Sequence, residues 1–203
     1  FFAFSFQMAA LGVEGTSIQE VDDPVLKRGL ELYEQGRLDE ALREFQRMTT
    51  RDDYSPDNLR AHYFVARIFY DQKEPEKALS SLANIPDLEK TPPVWLLEGA
   101  ALIGSGLTQQ GLSVLGGVDE KSLALEDRIL FFQAMAEGNI QKKRTLPSLY
   151  FIQAALFLSQ GQDTSGLLEK ARDIFAYETD LATLDEASFM FQGMVLDEMV
   201  SLE

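Results

Sequence analysis

His62 is the chain's single histidine, and there is no cysteine at all. That rules out disulfides, thiolate nucleophiles and cysteine-based metal centres, and leaves one imidazole with no serine motif to serve. His62 falls in a helical pattern, where such a residue packs or is partly exposed. The adjacent carboxylates Asp52-Asp53, Asp119-Glu120 and Asp185-Glu186 fall in loops or at helix starts. There they complement a helix dipole instead of sharing the desolvated cleft that general acid/base work needs. No run of oxygen donors surrounds a glycine as in a calcium loop. Gly104-x-Gly106 and Gly116-Gly117 follow no strand, so they read as inter-helix turns and not as phosphate cradles. The chain is therefore expected to be no enzyme, with no metal site and no cofactor.

Binding is the better-supported chemistry. Tyr63, Arg67 and Tyr70 stand at i, i+4 and i+7, which places them on one helical face. Rigid tyrosines beside an arginine offer large contact area, hydrogen bonds and one charge at small entropic cost, which suits gripping a peptide. Alanine at Tyr70 or Arg67 is expected to weaken such binding while leaving the fold intact. Eighteen basic against thirty-three acidic residues give a net charge of −15, which repels phosphate backbones and anionic lipid, so nucleic acid is not an expected partner. Lys142-Lys143-Arg144 is the only basic run and reads as a solvated linker.

The elements that carry these residues are helical pairs. From Pro24, Leu26, Leu30 and Tyr33 recur at helical spacing, Gly36 ends the run, and Leu38, Ala41, Leu42, Phe45 and Met48 resume it. Small Gly29 and Ala41 lie twelve apart and would let the two backbones approach closely. A second pair from Leu59 repeats the interval at Ala66 and Ala78, with Leu82 and Ile85 where Phe45 and Met48 stood. A third repeats it at Gly99 and Gly111, followed by Leu115 and Val118. Ala41 to Ala78 is 37 residues and Ala78 to Gly111 is 33; a hairpin that cannot bury its face alone, recurring at this period, implies a solenoid.

These residues resemble the tetratricopeptide-repeat family, whose units run about 34 residues. Gly29, Leu32, Gly36, Leu38, Ala41, Phe45 and Met48 fit its pattern, and Trp95, Gly99 and Leu102 fit in the third unit; Arg28 and Glu98 stand where leucine is usual, and Gly111 where alanine is. The resemblance implies an all-α, right-handed α-solenoid of antiparallel helix pairs. In that family the first helices line a concave groove that binds a peptide or helix of another protein. It places Leu26, Leu30 and Tyr33 there from unit one, Tyr63, Arg67 and Tyr70 from unit two, and Leu96 and Ile103 from unit three. The lysines and asparagines with which one family variant clamps a terminal carboxylate are replaced here by Leu26, Leu30 and Ala100, so an apolar or aromatic segment is the expected ligand.

Three regions follow: 1–23, an apolar N-terminal stretch and linker; 24–118, three repeats; 119–203, degenerate helical repeats with a capping helix over the stretch from Leu184 to Val200. Beyond Val118 the register blurs. A helix is expected to end at Gly138, but twelve from Phe131 is Lys143, which supports no standard second helix; Ala154 and Gly166, with a turn at Gly161, restore the interval. The first twelve residues have two readings. They resemble a signal-peptide remnant, which implies a periplasmic or secreted protein, or they form a structural arm in which Phe2, Phe4, Phe6 and Met8 alternate, which leaves the cytoplasm open. Twelve residues are too few to span a bilayer. An arm docking in a neighbouring copy's groove would make the chain a self-assembly module, the alternative to a scaffold for a partner protein.

Overall fold

The computed structural model describes residues 23–51, 54–159, 164–177, 181–194 and 196. Phe2, Phe4, Phe6 and Met8 lie outside the described residues, as does the turn expected at Gly161. Among the described residues the regular elements are helices: α1 (Pro24–Glu34), α2 (Leu38–Thr49), α3 (Pro56–Asp71), α4 (Pro75–Leu82), α5 (Pro92–Gly104), α6 (Thr108–Leu115), α7 (Leu125–Gln141), α8 (Thr145–Leu158), α9 (Ser165–Tyr177) and α10 (Leu181–Phe191). Single 3-10 turns, Asp87–Glu89 and Glu120–Ser122, precede α5 and α7. No helix among the described residues is long and apolar enough to cross a membrane.

Local chemistry sets the helix boundaries. Proline opens α1, α3, α4 and α5, at the position where its missing N–H is not needed. The Asp23 carboxylate accepts from the amides of Val25 and Leu26, and the Ser55 hydroxyl accepts from that of Asn58, satisfying donors that a helix start leaves unpaired. The hairpin turns share one stop. Gly36, Lys73, Gly106 and Lys143 each adopt positive φ, at 72°, 64°, 84° and 54°. Each N–H donates to the carbonyl three residues back, and the next N–H to the carbonyl five back, as in Arg37 to Leu32, Glu74 to Phe69, Leu107 to Leu102 and Arg144 to Asn139. This is the Schellman closure, and its left-handed position favours glycine because it has no Cβ. Two lysines occupy it here.

Packing follows the same register. Each of the four turn residues lies five before a small residue of the second helix: Ala41, Ala78, Gly111 and Ser148. Twelve residues before those stand Gly29, Ala66, Gly99 and Ala136 on the first helices. A methyl added to Gly111 would lie 2.6 Å from the Gly99 carbonyl oxygen, and one added to Gly99 would lie 2.7 Å from Leu115 Cγ, so the third pair is closed too tightly for the usual alanine. Phe45 and Met48, Leu82 and Ile85, Leu115, and Ile152 and Ala155 fill the space beyond each contact and are buried. Phe45 stacks on Phe64 with ring centroids 5.1 Å apart, locking unit one to unit two. Pairs α1/α2, α3/α4, α5/α6 and α7/α8 pack internally, and each second helix packs on the following first helix, which gives three successive core clusters and the expected repeat solenoid.

The fourth unit differs from the expectation. α7 continues past Gly138 to Gln141, and a second helix does follow it, α8, which packs along α7. The small pair is Ala136 and Ser148, and Gly111 to Ser148 is again 37 residues. Ser148 is accepted in that buried contact because its hydroxyl donates back to the Arg144 carbonyl at 2.7 Å, leaving no unpaired polar group. The Ala154 and Gly166 interval makes no corresponding close approach: nothing lies within 4 Å of a methyl built on Gly166. In the stretch where a capping helix over Leu184 to Val200 is expected, α10 starts earlier, at Leu181, and ends earlier, at Phe191, just before Gly193 at φ 72°. Beyond it the Leu196 amide donates to Gln153 Oε1 of α8 at 3.0 Å.

Candidate partner-binding site

The expected groove residues do not all reach solvent. Leu26, Leu30 and Leu96 are completely buried in the inter-helix core and Ile103 is 1% exposed, which leaves them almost no surface to offer a ligand. Burial arises because α3 and α5 are packed on both sides by neighbouring hairpins and α1 by its own hairpin and α3; an apolar periodicity marks the buried face without saying whether solvent or a helix lies opposite. Tyr63 is also buried, in edge-to-face contact with Phe64 at 5.4 Å. Tyr33, which meets Phe64 edge-on at 5.3 Å, is half-buried, as are Arg67 and Tyr70.

Arg67 has a partner that local reasoning could not find. Its Nη1 donates to Oδ1 of Asp127 at 3.2 Å, sixty residues on at the start of α7, and its Nε lies 3.6 Å from Asp71 Oδ2. Arg67 thus ties the first helix of unit two to that of unit four across α5. Burial pushes the carboxyls of Asp127 and Asp71 above their ordinary range, with the Arg67 charge opposing the shift. Burial likewise pushes the hydroxyls of Tyr63, Tyr33 and Tyr70 up, so they act as neutral phenols. The Arg67 charge is already committed within the array, and alanine there costs stability as well as surface.

Below this cluster α3, α5, α7 and α9 line a cavity of about 500 Å³. Tyr70 of α3 and Ile103 of α5 meet there, with the methyls of Ala100 and Ala134 beside them. Lys73, Gln133, Glu137, Gln141 and Lys170 supply the polar edge. Lys170 of α9 pairs with Glu137 of α7. Burial would raise the Glu137 carboxyl, but its hydrogen bond from Lys170 and the nearby charges hold it below the usual glutamate range. Gln141 Nε2 also reaches the Ile103 carbonyl at 3.5 Å. Tyr70 and Ile103 are the two expected residues that this cavity brings together; Lys73 was findable as the turn residue five before Ala78, whereas Glu137 and Lys170 lie where the register blurs.

His62 lies apart from this cavity, half-buried in a polar cleft with Asn58, Tyr54 and Asn84. Its Nδ1 is 3.4 Å from the Ser81 hydroxyl, which donates to the His62 carbonyl at 2.9 Å, and burial lowers its pKa. Asn58 donates to the carbonyls of Met48 and Arg51 at 3.0 and 3.2 Å, closing the end of α2. The cleft is built from helix-end contacts.

Residues 26–85, units one and two, match the family described as tetratricopeptide repeat. No curated protein matches the chain.

Proposed function

Taking the chain as a tetratricopeptide-repeat protein, of a family that mediates protein–protein interactions, we propose that it is a non-enzymatic scaffold holding an extended or helical segment of another protein against the inner faces of α3, α5, α7 and α9. The observation that carries this reading is the cavity of about 500 Å³ between those helices, with Tyr70, Ile103, Ala100 and Ala134 at its apolar floor and amide and charged side chains at its edge. Concave sites of this size with an apolar lining and few convergent polar groups are where proteins take ligand side chains. The ligand places one apolar or aromatic side chain against Tyr70, which Ile103 backs from within the core, and its backbone meets the amides of Gln133 and Gln141. Tyr70 supplies area and a hydroxyl at low entropic cost.

Tyr70 is half-buried and lines the cavity while also packing against the core, so Tyr70→Ala removes ligand contact at some cost to the core. Capture of the partner should fall at least tenfold while the thermal midpoint stays within a few degrees. Full capture by a folded Tyr70→Ala protein removes the reading.

A further inference from the structure

The outer face of the fourth hairpin breaks the pattern of the first three. Positions −1, +2, +6 and +9 from the small residue of each second helix are exposed or half-buried in all four units, although +9 in unit one and +6 and +9 in units two and three lie beyond the helix ends. In unit one they are Glu40, Arg43, Arg47 and Thr50; in unit two Lys77, Ser80, Asn84 and Asp87; in unit three Gln110, Ser113, Gly117 and Glu120. In unit four they are Pro147, Tyr150, Ala154 and Phe157. Tyr150 is 54% and Phe157 63% exposed, and the spacing of three, four and three puts all four residues on one stripe. The stripe is about 15 Å long at 1.5 Å per residue. α8 carries no charged residue along its whole length. At its N-terminal end stand Lys142, Lys143 and Arg144, all exposed, and among the described residues none of the three forms an ion pair. The positive end of the α8 dipole adds to them.

We infer that this face is a second docking surface, separate from the groove, and that its occupant is an amphipathic helix of a partner protein whose apolar stripe covers Tyr150 and Phe157 and whose acidic end meets Lys142, Lys143 and Arg144. The charge pattern selects this occupant. Three unpaired cations in a chain of net charge −15 form a local site that a carboxylate-rich segment complements. An anionic membrane would meet the same cations but would also face the negative remainder of the chain, and a second copy would bring another net −15 to the contact. Helix fits helix here because a straight stripe at i, i+3 and i+7 is the groove-filling geometry of paired helices.

The test uses the full chain and a fluorescent synthetic helix with leucines at i, i+3 and i+7 and glutamates at one end. Its controls are the same helix with lysines for the glutamates and one with the leucines scrambled. Anisotropy should show the acidic helix binding at least tenfold more tightly than either control. Phe157→Ser or Tyr150→Ser should lose that binding at least tenfold, and so should the triple variant Lys142→Glu, Lys143→Glu, Arg144→Glu, while Tyr70→Ala leaves it unchanged. Retained helical circular dichroism establishes that each variant is folded, and the charge triple, confined to exposed turn residues, reports even where a change on α8 unfolds the chain. The proposal is overturned by equal binding of the acidic and basic helices, by no binding of the acidic helix, or by binding that Tyr70→Ala abolishes. It is equally overturned if phosphatidylglycerol vesicles bind in place of the helix, or if the chain doubles in mass in a Phe157-dependent way. Loss of groove binding in Tyr70→Ala bears on the proposed function alone.

Discussion

Replacing Arg67 by alanine separates a structural arginine from a ligand-gripping one. In the native fold its guanidinium is 3.2 Å from Asp127, and the two side chains are 21% and 11% exposed. Alanine leaves the Asp127 carboxylate largely desolvated with its cation gone, which costs on the order of 3 kcal/mol. For a chain of this length that lowers the thermal midpoint by roughly 6–12 °C, at about 2–4 °C per kcal/mol. Asp127→Asn keeps an acceptor and loses only charge, so its cost is nearer ~1 kcal/mol. Because much of the penalty is the orphaned Asp127, the apolar double variant Arg67→Met, Asp127→Leu should recover most of it, leaving the part owed to Asp71, which loses the same cation. Urea unfolding followed by helical circular dichroism gives each value, and the alanine double-mutant cycle should yield a coupling of about 1–3 kcal/mol. If Arg67→Ala lies within about 0.5 kcal/mol of the wild type, the range of an ordinary surface substitution, the pair does not tie units two and four together and the arginine is free for other work.

Gly111→Ala gains about 1 kcal/mol of helix propensity, but its methyl would meet the Gly99 oxygen at 2.6 Å. The overpacking of about 1–3 kcal/mol wins, giving a net loss that the lone Trp95 of the same unit reports by fluorescence; Gly166→Ala, with open space around it, should be neutral or slightly stabilising. Lys73→Gly and Lys143→Gly relieve left-handed backbone at φ 64° and 54° and should each raise the unfolding free energy by about 0.5–1 kcal/mol in urea titrations. Asp23→Asn keeps the helix cap and removes the charge that pairs with Arg51. That pairing lowers the native pKa of Asp23 from its ordinary 3.8, so its stabilisation is present above that value and lost as pH falls through the lowered native one. The stability gap between the two proteins should be constant near neutral pH and close in acid.

The first three hairpins were legible because glycine or alanine marks each close approach, and small residues twelve apart have few other readings. The fourth was hidden by Ser148, a polar residue at the contact whose hydroxyl is satisfied within its own helix; counting from Ala136 instead of Phe131 finds it. The lysine at 143 helped conceal a turn of the kind that glycine announces at 36 and 106; the one at 73 did not, because the Ala66 and Ala78 interval spans it. A place on the cavity wall was legible at Tyr70, but the burial of Leu26, Leu30, Leu96 and Ile103 was not, since periodicity marks a buried face without telling a ligand from a neighbouring helix. The Arg67 to Asp127 pair spans sixty residues, a separation no local pattern encodes.

The cavity between α3, α5, α7 and α9 is the centre of the functional account, and blocking its mouth tests it most directly. Gln133 is exposed at the cavity edge, so Gln133→Trp fills the opening without disturbing the core. Proteins captured from the native cell by the wild type, Gln133→Trp and the outer-face variant Phe157→Ser should be quantified side by side by mass spectrometry. The account predicts at least one protein held by the wild type and by Phe157→Ser and lost from a fully folded Gln133→Trp. Capture of an unchanged set by the blocked protein would contradict it.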